Sequence, residues 1–137
     1  MQKVIRILET CLHVEDVERS ARFYETLFSF PRMDFNERFC AFDAGGGTVL
    51  LLFRKGGTTE SVRTPGGVIP PHGGSGDLHL AFSIRAEDFS GWEKRLGENG
   101  IAIESRVRWD RGGNSLYFRD PDHHLVELAT PGIWPSY

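Results

Sequence analysis

The spacing of apolar residues along the first third of the chain changes period twice. From Ile7 to Glu15, Leu12 and Val14 alternate with Cys11, His13 and Glu15, which predicts a strand with one oily and one polar face. Asp16 then stands where a helix cap belongs. Val17, Ala21, Tyr24 and Phe28 follow at helical spacing up to about Ser29, and Pro31 lies just beyond that end. Three short strands are predicted next, near Arg32 to Phe35, Arg38 to Phe42 and Thr48 to Phe53, separated by Asn36-Glu37 and Gly45-Gly46-Gly47. The second half repeats the order. Leu78 to Ile84 reads as a strand, and Glu87 to Asn99 as a helix with Phe89, Trp92 and Leu96 on one face, ending at Gly100. Ile101 to Val107, Ser115 to Arg119 and Leu125 to Thr130 read as three strands, the last two joined by the turn Asp120-Pro121-Asp122.

The expected fold is thus α+β: two βαβββ modules, residues 1–54 and 77–137, within a single domain 1–137. Overlaying His13 on His79 also overlays Phe23 on Phe89, so the repeat is one of pattern rather than identity. Residues 55–76, KGGTTESVRTPGGVIPPHGGSG, are rich in Gly and Pro without periodicity and read as a long linker. Loops of that length in compact domains commonly serve function, here as a lid or as slack for pairing across a dimer.

Composition narrows the function classes. A chain of 137 residues with 39% apolar content can bury one core unaided. Lys plus Arg number 16 against 19 for Asp plus Glu, a net charge of −3, so nothing here holds phosphate backbones and no nucleic-acid partner is expected. Lys3, Arg6 and Glu9 interrupt the N-terminus before any apolar run suited to a signal peptide or membrane span, which leads us to expect a cytoplasmic protein. Two cysteines, Cys11 and Cys40, without CxxC spacing suggest unlinked thiols.

Strand parity then singles out polar residues. Leu12 and Val14, Leu78, Leu80 and Phe82, and Val126 and Leu128 should turn to the helix side; His13, His79 and Glu127 should turn to the opposite face, with Tyr117 beside them. Two imidazoles and one carboxylate match the facial set that binds a divalent metal and leaves positions open. Each residue also has an ordinary alternative, a histidine satisfied within the fold or a carboxylate facing water, and spacing alone leaves both open.

The run GNSLYFRDPDHHLVEL, Gly113 to Leu128, together with the two histidine strands and the doubled βαβββ pattern, resembles the vicinal oxygen chelate superfamily. That group holds glyoxalase I, the extradiol dioxygenases, fosfomycin-resistance enzymes and metal-free bleomycin-binding proteins. The resemblance implies a cupped mixed sheet, a half-barrel with helices on its outer face, and metal ligands at His13, His79 and Glu127. It also implies a homodimer in which modules of both chains can complete each site. Leu51 stands where glyoxalase I carries a fourth ligand, which favours the dioxygenase-like or transferase-like branches. His123 replaces a common turn glycine.

The expected activity is that of a metal-dependent enzyme, with Fe, Mn, Ni, Co or Zn binding vicinal oxygens of a small-molecule substrate. Tyr117 is a candidate for catalysis and substrate contact, Glu15 for a general base, Arg119 and Cys11 for substrate binding, and His72 for closure over the cavity. Two rival readings are a metal-free drug-binding or metabolite-binding protein and a glyoxalase-type isomerase in which water or Glu60 replaces the missing ligand.

Overall fold

The computed structural model describes all 137 residues. The chain divides into two compact units, Met1–Gly76 and Asp77–Tyr137.

In the first unit, β1 (Glu9–Val14), α1 (Val17–Phe28), β2 (Arg32–Asn36), β3 (Phe39–Asp43) and β4 (Val49–Arg54) form one helix and a four-stranded sheet in the order β1-β4-β3-β2. β1 runs parallel to β4, and the remaining neighbours are antiparallel. The helix starts where its capping residue allows: Asp16 Oδ1 accepts from the Arg19 N–H at 3.0 Å. It stops at Ser29, which enters the left-handed region at φ 58° while its N–H donates to the Glu25 carbonyl. Leu12, Val14, Val17, Ala21, Tyr24, Leu27, Leu50 and Leu52 are buried between helix and sheet. Each large member of that set contributes about 1.5–3 kcal/mol by leaving water. β1 begins at Glu9, two residues later than Ile7; residues 1–8 lie outside the sheet except that the Leu8 carbonyl accepts from Val49 N–H at 2.8 Å.

Residues 55–76 are not bare linker. They contain the hairpin β5 (Val62–Thr64) and β6 (Gly67–Ile69), whose turn is fastened by Thr64 Oγ1 donating to the Gly67 carbonyl at 2.9 Å. Strands of three residues carry no detectable alternation, which is why the sequence hid them.

The second unit repeats the plan with β7 (His79–Ser83), a 3₁₀ turn over Ala86–Asp88, α2 (Phe89–Glu98), β8 (Ser105–Arg108), β9 (Asn114–Arg119) and β10 (Leu125–Ala129), in the order β7-β10-β9-β8. Leu80, Leu96, Leu116, Phe118, Val126 and Leu128 form its core. Both modules are therefore βαβββ, and the fold is α+β as expected. The strand expected from Ile101 begins only at Ser105. Ile101 gives its N–H to the Leu96 carbonyl at 2.9 Å to close α2, with Gly100 at φ 68°, so that donor is lost to the sheet.

Candidate metal centre

On the face of the second sheet away from its core, His79, Tyr117 and Glu127 stand together. β10 pairs with β7 so that Glu127 lies beside Ala81, and with β9 so that Glu127 faces Tyr117. His79 Nε2 points at Glu127 Oε2 across 3.9 Å, too far for a hydrogen bond. The other ring nitrogen, Nδ1, lies 3.0 Å from the Leu125 carbonyl oxygen. A carbonyl can only accept, so Nδ1 carries the proton, and in the neutral ring Nε2 presents a lone pair to the carboxylate. Two acceptors facing each other make an arrangement that a cation between them would complete. Backbone anchoring of the distal N–H is also how metal-binding imidazoles are oriented. Donors held about 2.1 Å from one tetrahedral ion stand about 3.4 Å apart, so a small rotation of His79, half-exposed at its side chain (50%), brings the pair to ligand spacing.

The rest of this unit braces that pair. Glu127 is buried and faces Tyr117 across β9 and β10. Desolvation first, then the neighbouring Glu127 carboxylate, push the Tyr117 hydroxyl up to about 12, against a smaller opposing effect of Ser115. Tyr117 is therefore a proton donor at neutral pH. Its ring lies 6.2 Å from that of His79. The fully buried His124 accepts the Leu78 N–H on Nδ1 at 3.0 Å, and Asp120 Oδ1 accepts the N–H groups of Asp122 and His124 at 2.9 Å each. These bonds fix the turn before β10 against the start of β7, and so fix where His79 begins. His124 belongs to the DPDHH run, yet its positioning role cannot be read from spacing. His123 takes φ 68° in that turn, and its Nδ1 meets Asp77 Oδ2 at 3.0 Å.

His13, in the first unit, has different surroundings. It is 5% exposed, stacked on Phe53 at 6.0 Å and met edge-on by His72 at 5.6 Å, with Nε2 3.4 Å from Thr58 Oγ1. Gly74 approaches so closely that a Cβ there would fall 2.9 Å from its Nδ1. His72 thus packs edge-on against His13 and also lines the neighbouring cavity. Within neither unit do three or more His, Cys, Asp or Glu side chains gather as a metal group.

Strand register corrects the overlay of the modules. β1 opens with Glu9 paired to Val49, as β7 opens with His79 paired to Leu125; two residues on, Cys11 pairs with Leu51 as Ala81 pairs with Glu127. The counterpart of His79 is therefore Glu9, not His13, while Leu51 does match Glu127. Glu9, Cys11 and His13 share one parity, so alternation could not separate them.

The remaining candidates are scattered. Cys11 lines a cavity of about 780 Å³ on the first unit, its thiol pushed up by burial and then by Glu9. Glu15 instead borders a separate cavity and meets Lys55 at 3.6 Å. Arg119 is engaged by Glu104, Nε to Oε2 at 2.6 Å and Nη2 to Oε1 at 3.3 Å, and by the His123 carbonyl at 3.2 Å. Glu60, like His72, lines the 780 Å³ cavity.

Two βαβββ modules, the second with a histidine at the start of β7 and a carboxylate in the middle of the parallel neighbour β10, define the class of fold. The Glyoxalase/Bleomycin resistance protein/Dioxygenase superfamily matches residues 6–128, and the chain belongs to it. Metallothiol transferase FosB of Bacillus licheniformis is 29% identical over 133 residues, 96% of this chain and 79% of that one. The crystal structure of lactoylglutathione lyase from Agrobacterium tumefaciens is 26% identical, with a TM-score of 0.88 over 98% of this chain and 99% of that one. Fosfomycin resistance protein FosX from Mesorhizobium loti is 25% identical, with a TM-score of 0.61 over 95% of this chain and 93% of that one. No helix is long and apolar enough to cross a membrane.

Proposed function

We propose that the protein is a metal-dependent enzyme of the transferase or lyase kind, in which His79 and Glu127 hold a divalent ion, one of Fe, Mn, Ni, Co or Zn. The observation that carries this reading is the lone pair of His79 Nε2 facing the Glu127 carboxylate, with Nδ1 anchored to Leu125. When bound, the ion supplies Lewis acidity to adjacent oxygens of a small-molecule substrate. Tyr117, facing Glu127 across β9 and β10, holds a proton at its hydroxyl, ready to donate to substrate oxygen. The names of the relatives, a metallothiol transferase and a lactoylglutathione lyase, support transfer or elimination chemistry over dioxygenation. For a third protein donor, His13 is the residue the resemblance selects and Glu9 the one that register selects. A homodimer is part of the proposal.

The test is metal uptake. Protein purified without chelators is expected to bind Mn(II) or Zn(II) at one ion per chain, and Glu127→Gln should lose that occupancy. Full occupancy in Glu127→Gln would refute the ligand role. Failure of the parent protein to take up any of the five metals would leave a metal-free binding protein, a reading that the 780 Å³ cavity of the first unit favours.

A further inference from the structure

The cavity on the first unit lies on the sheet face that register matches to the face of His79 and Glu127 in the second, but most of its wall is apolar. Its floor is the sheet face carrying Cys11, Leu51 and Phe53, with Phe39 alongside, and Val62, Ile69 and Pro70 from the β5-β6 segment also line it. Phe39 and Phe53 pair across β3 and β4 with ring centroids 5.4 Å apart and planes tilted by 36°. Its volume, about 780 Å³, lies in the range of sites that enclose a drug-sized molecule. Val62 and Ile69 are each 51% exposed, which leaves open apolar surface on this wall of the cavity.

The charges lie at the ends of this trough. Glu9 pairs with Val49 at the start of β4, whereas the Arg38 carbonyl accepts from Arg54 N–H at its finish. Five residues of strand separate those positions, about 16 Å. At the Arg38 end the cavity adjoins a second one, of about 380 Å³, bordered by Arg38, Arg54 and Lys55 as well as Glu37 and Glu60. Lys55 is occupied by Glu15, and the exposed Arg38 guanidinium enters none of the unit's ion pairs.

We propose that this trough binds an aromatic or similarly flat apolar anion, its rings lying on Phe39, Leu51 and Phe53 beneath Val62 and Ile69, its anionic group on Arg38. Stacking on two phenyl rings rewards a planar body, and a guanidinium free of other partners rewards a carboxylate or sulfonate. Glu9, at the far end, disfavours a second anionic group there. That such a molecule binds stands on the cavity alone; that it is the substrate rests on the metal reading above.

Naphthalene-2-carboxylate is the probe, titrated calorimetrically into the full chain with and without EDTA. The expected result is saturable binding at one per chain in both conditions, weakened about tenfold by Arg38→Met. The neutral 2-naphthamide should bind more weakly and ignore Arg38→Met. Val62→Asp, at an exposed site that leaves the sheet intact, should also repel the carboxylate. Absence of saturable binding, or equal affinity in the parent, Arg38→Met and Val62→Asp proteins, would overturn the proposal. Naphthoate binding without metal uptake at His79 and Glu127 would remove the enzyme reading alone, and metal uptake without naphthoate binding would remove the cavity proposal alone.

Discussion

The two units share strand order, parity and register, but they use the face opposite the helix in different ways. Where the second unit sets His79 and Glu127, the first sets Glu9 and Leu51; opposite Leu51 it has Ala41 where Tyr117 faces Glu127, and the phenyl rings of Phe39 and Phe53 form the next pair along that face. The second unit places an imidazole and a carboxylate on that face. The first builds a greasy trough ended by charges. A duplicated scaffold therefore fixes positions, while the chemistry at each position changes through single residues.

The largest effect expected from breaking this contrast is on metal affinity. His79→Ala should weaken it about 100-fold or more, about 2.7 kcal/mol, in a competition titration with a chromogenic chelator. His13→Ala and Glu9→Gln then decide the third donor: the one that costs at least tenfold supplies it. A sharper version grafts one unit's chemistry on the other. The double substitution Glu9→His, Leu51→Glu, made in the His79→Ala background, should restore Zn(II) binding if register is the right guide, and no recovery in a folded protein would reject the correspondence. The graft places a carboxylate at a position only 8% exposed, so it should also cost about 1–3 kcal/mol of stability.

Next in size is His124→Ala, which leaves the Leu78 N–H without its acceptor and should destabilise the protein by about 2 kcal/mol in urea unfolding. The second unit should also reveal itself in an alkaline absorbance titration, where Tyr117 should ionise near 12 and Glu127→Gln should lower that value only in part, because burial, the larger cause, persists. Because the folded value lies above the unfolded one, the stability linked to Tyr117 is complete below the ordinary value and fades as pH rises through about 12.

The smallest effect belongs to the first unit. Arg32 and Arg22 hydrogen-bond Glu18 and hold its carboxyl down to about 2 from an ordinary 4.5. Its contribution is present above 4.5 and is lost as pH falls through about 2; in Glu18→Gln that part of the acid sensitivity should vanish from thermal melts.

Much of this was written in the sequence because it rests on local rules. Asp16 announced the start of α1 and the stop near Ser29 was legible, while the period-two runs placed β7 and β10 within a residue or two. Parity put His79 and Glu127 on one face, but it repeats every two residues. It therefore could not tell Glu9 from His13; only the pairing of β1 with β4 makes that distinction. Arg119 looked available for an anion because its partner Glu104 lies outside any regular strand, in a stretch that the sequence assigned to one. The trough was hidden for a related reason, since half its wall comes from residues 57–72, a stretch without periodicity that read as a linker.

Thr58 and His72 tie the neck of the segment between them with two hydrogen bonds, His72 N–H to the Thr58 carbonyl at 2.9 Å and Thr58 Oγ1 to the His72 carbonyl at 2.6 Å. Residues 59–71 thus form a loop closed at its base, and a change of length or sequence within it is absorbed beyond the knot. For a lineage under pressure to handle new compounds, such a cassette separates preference from folding. Ligand choice can drift there while the sheet that carries the chemistry stays the same.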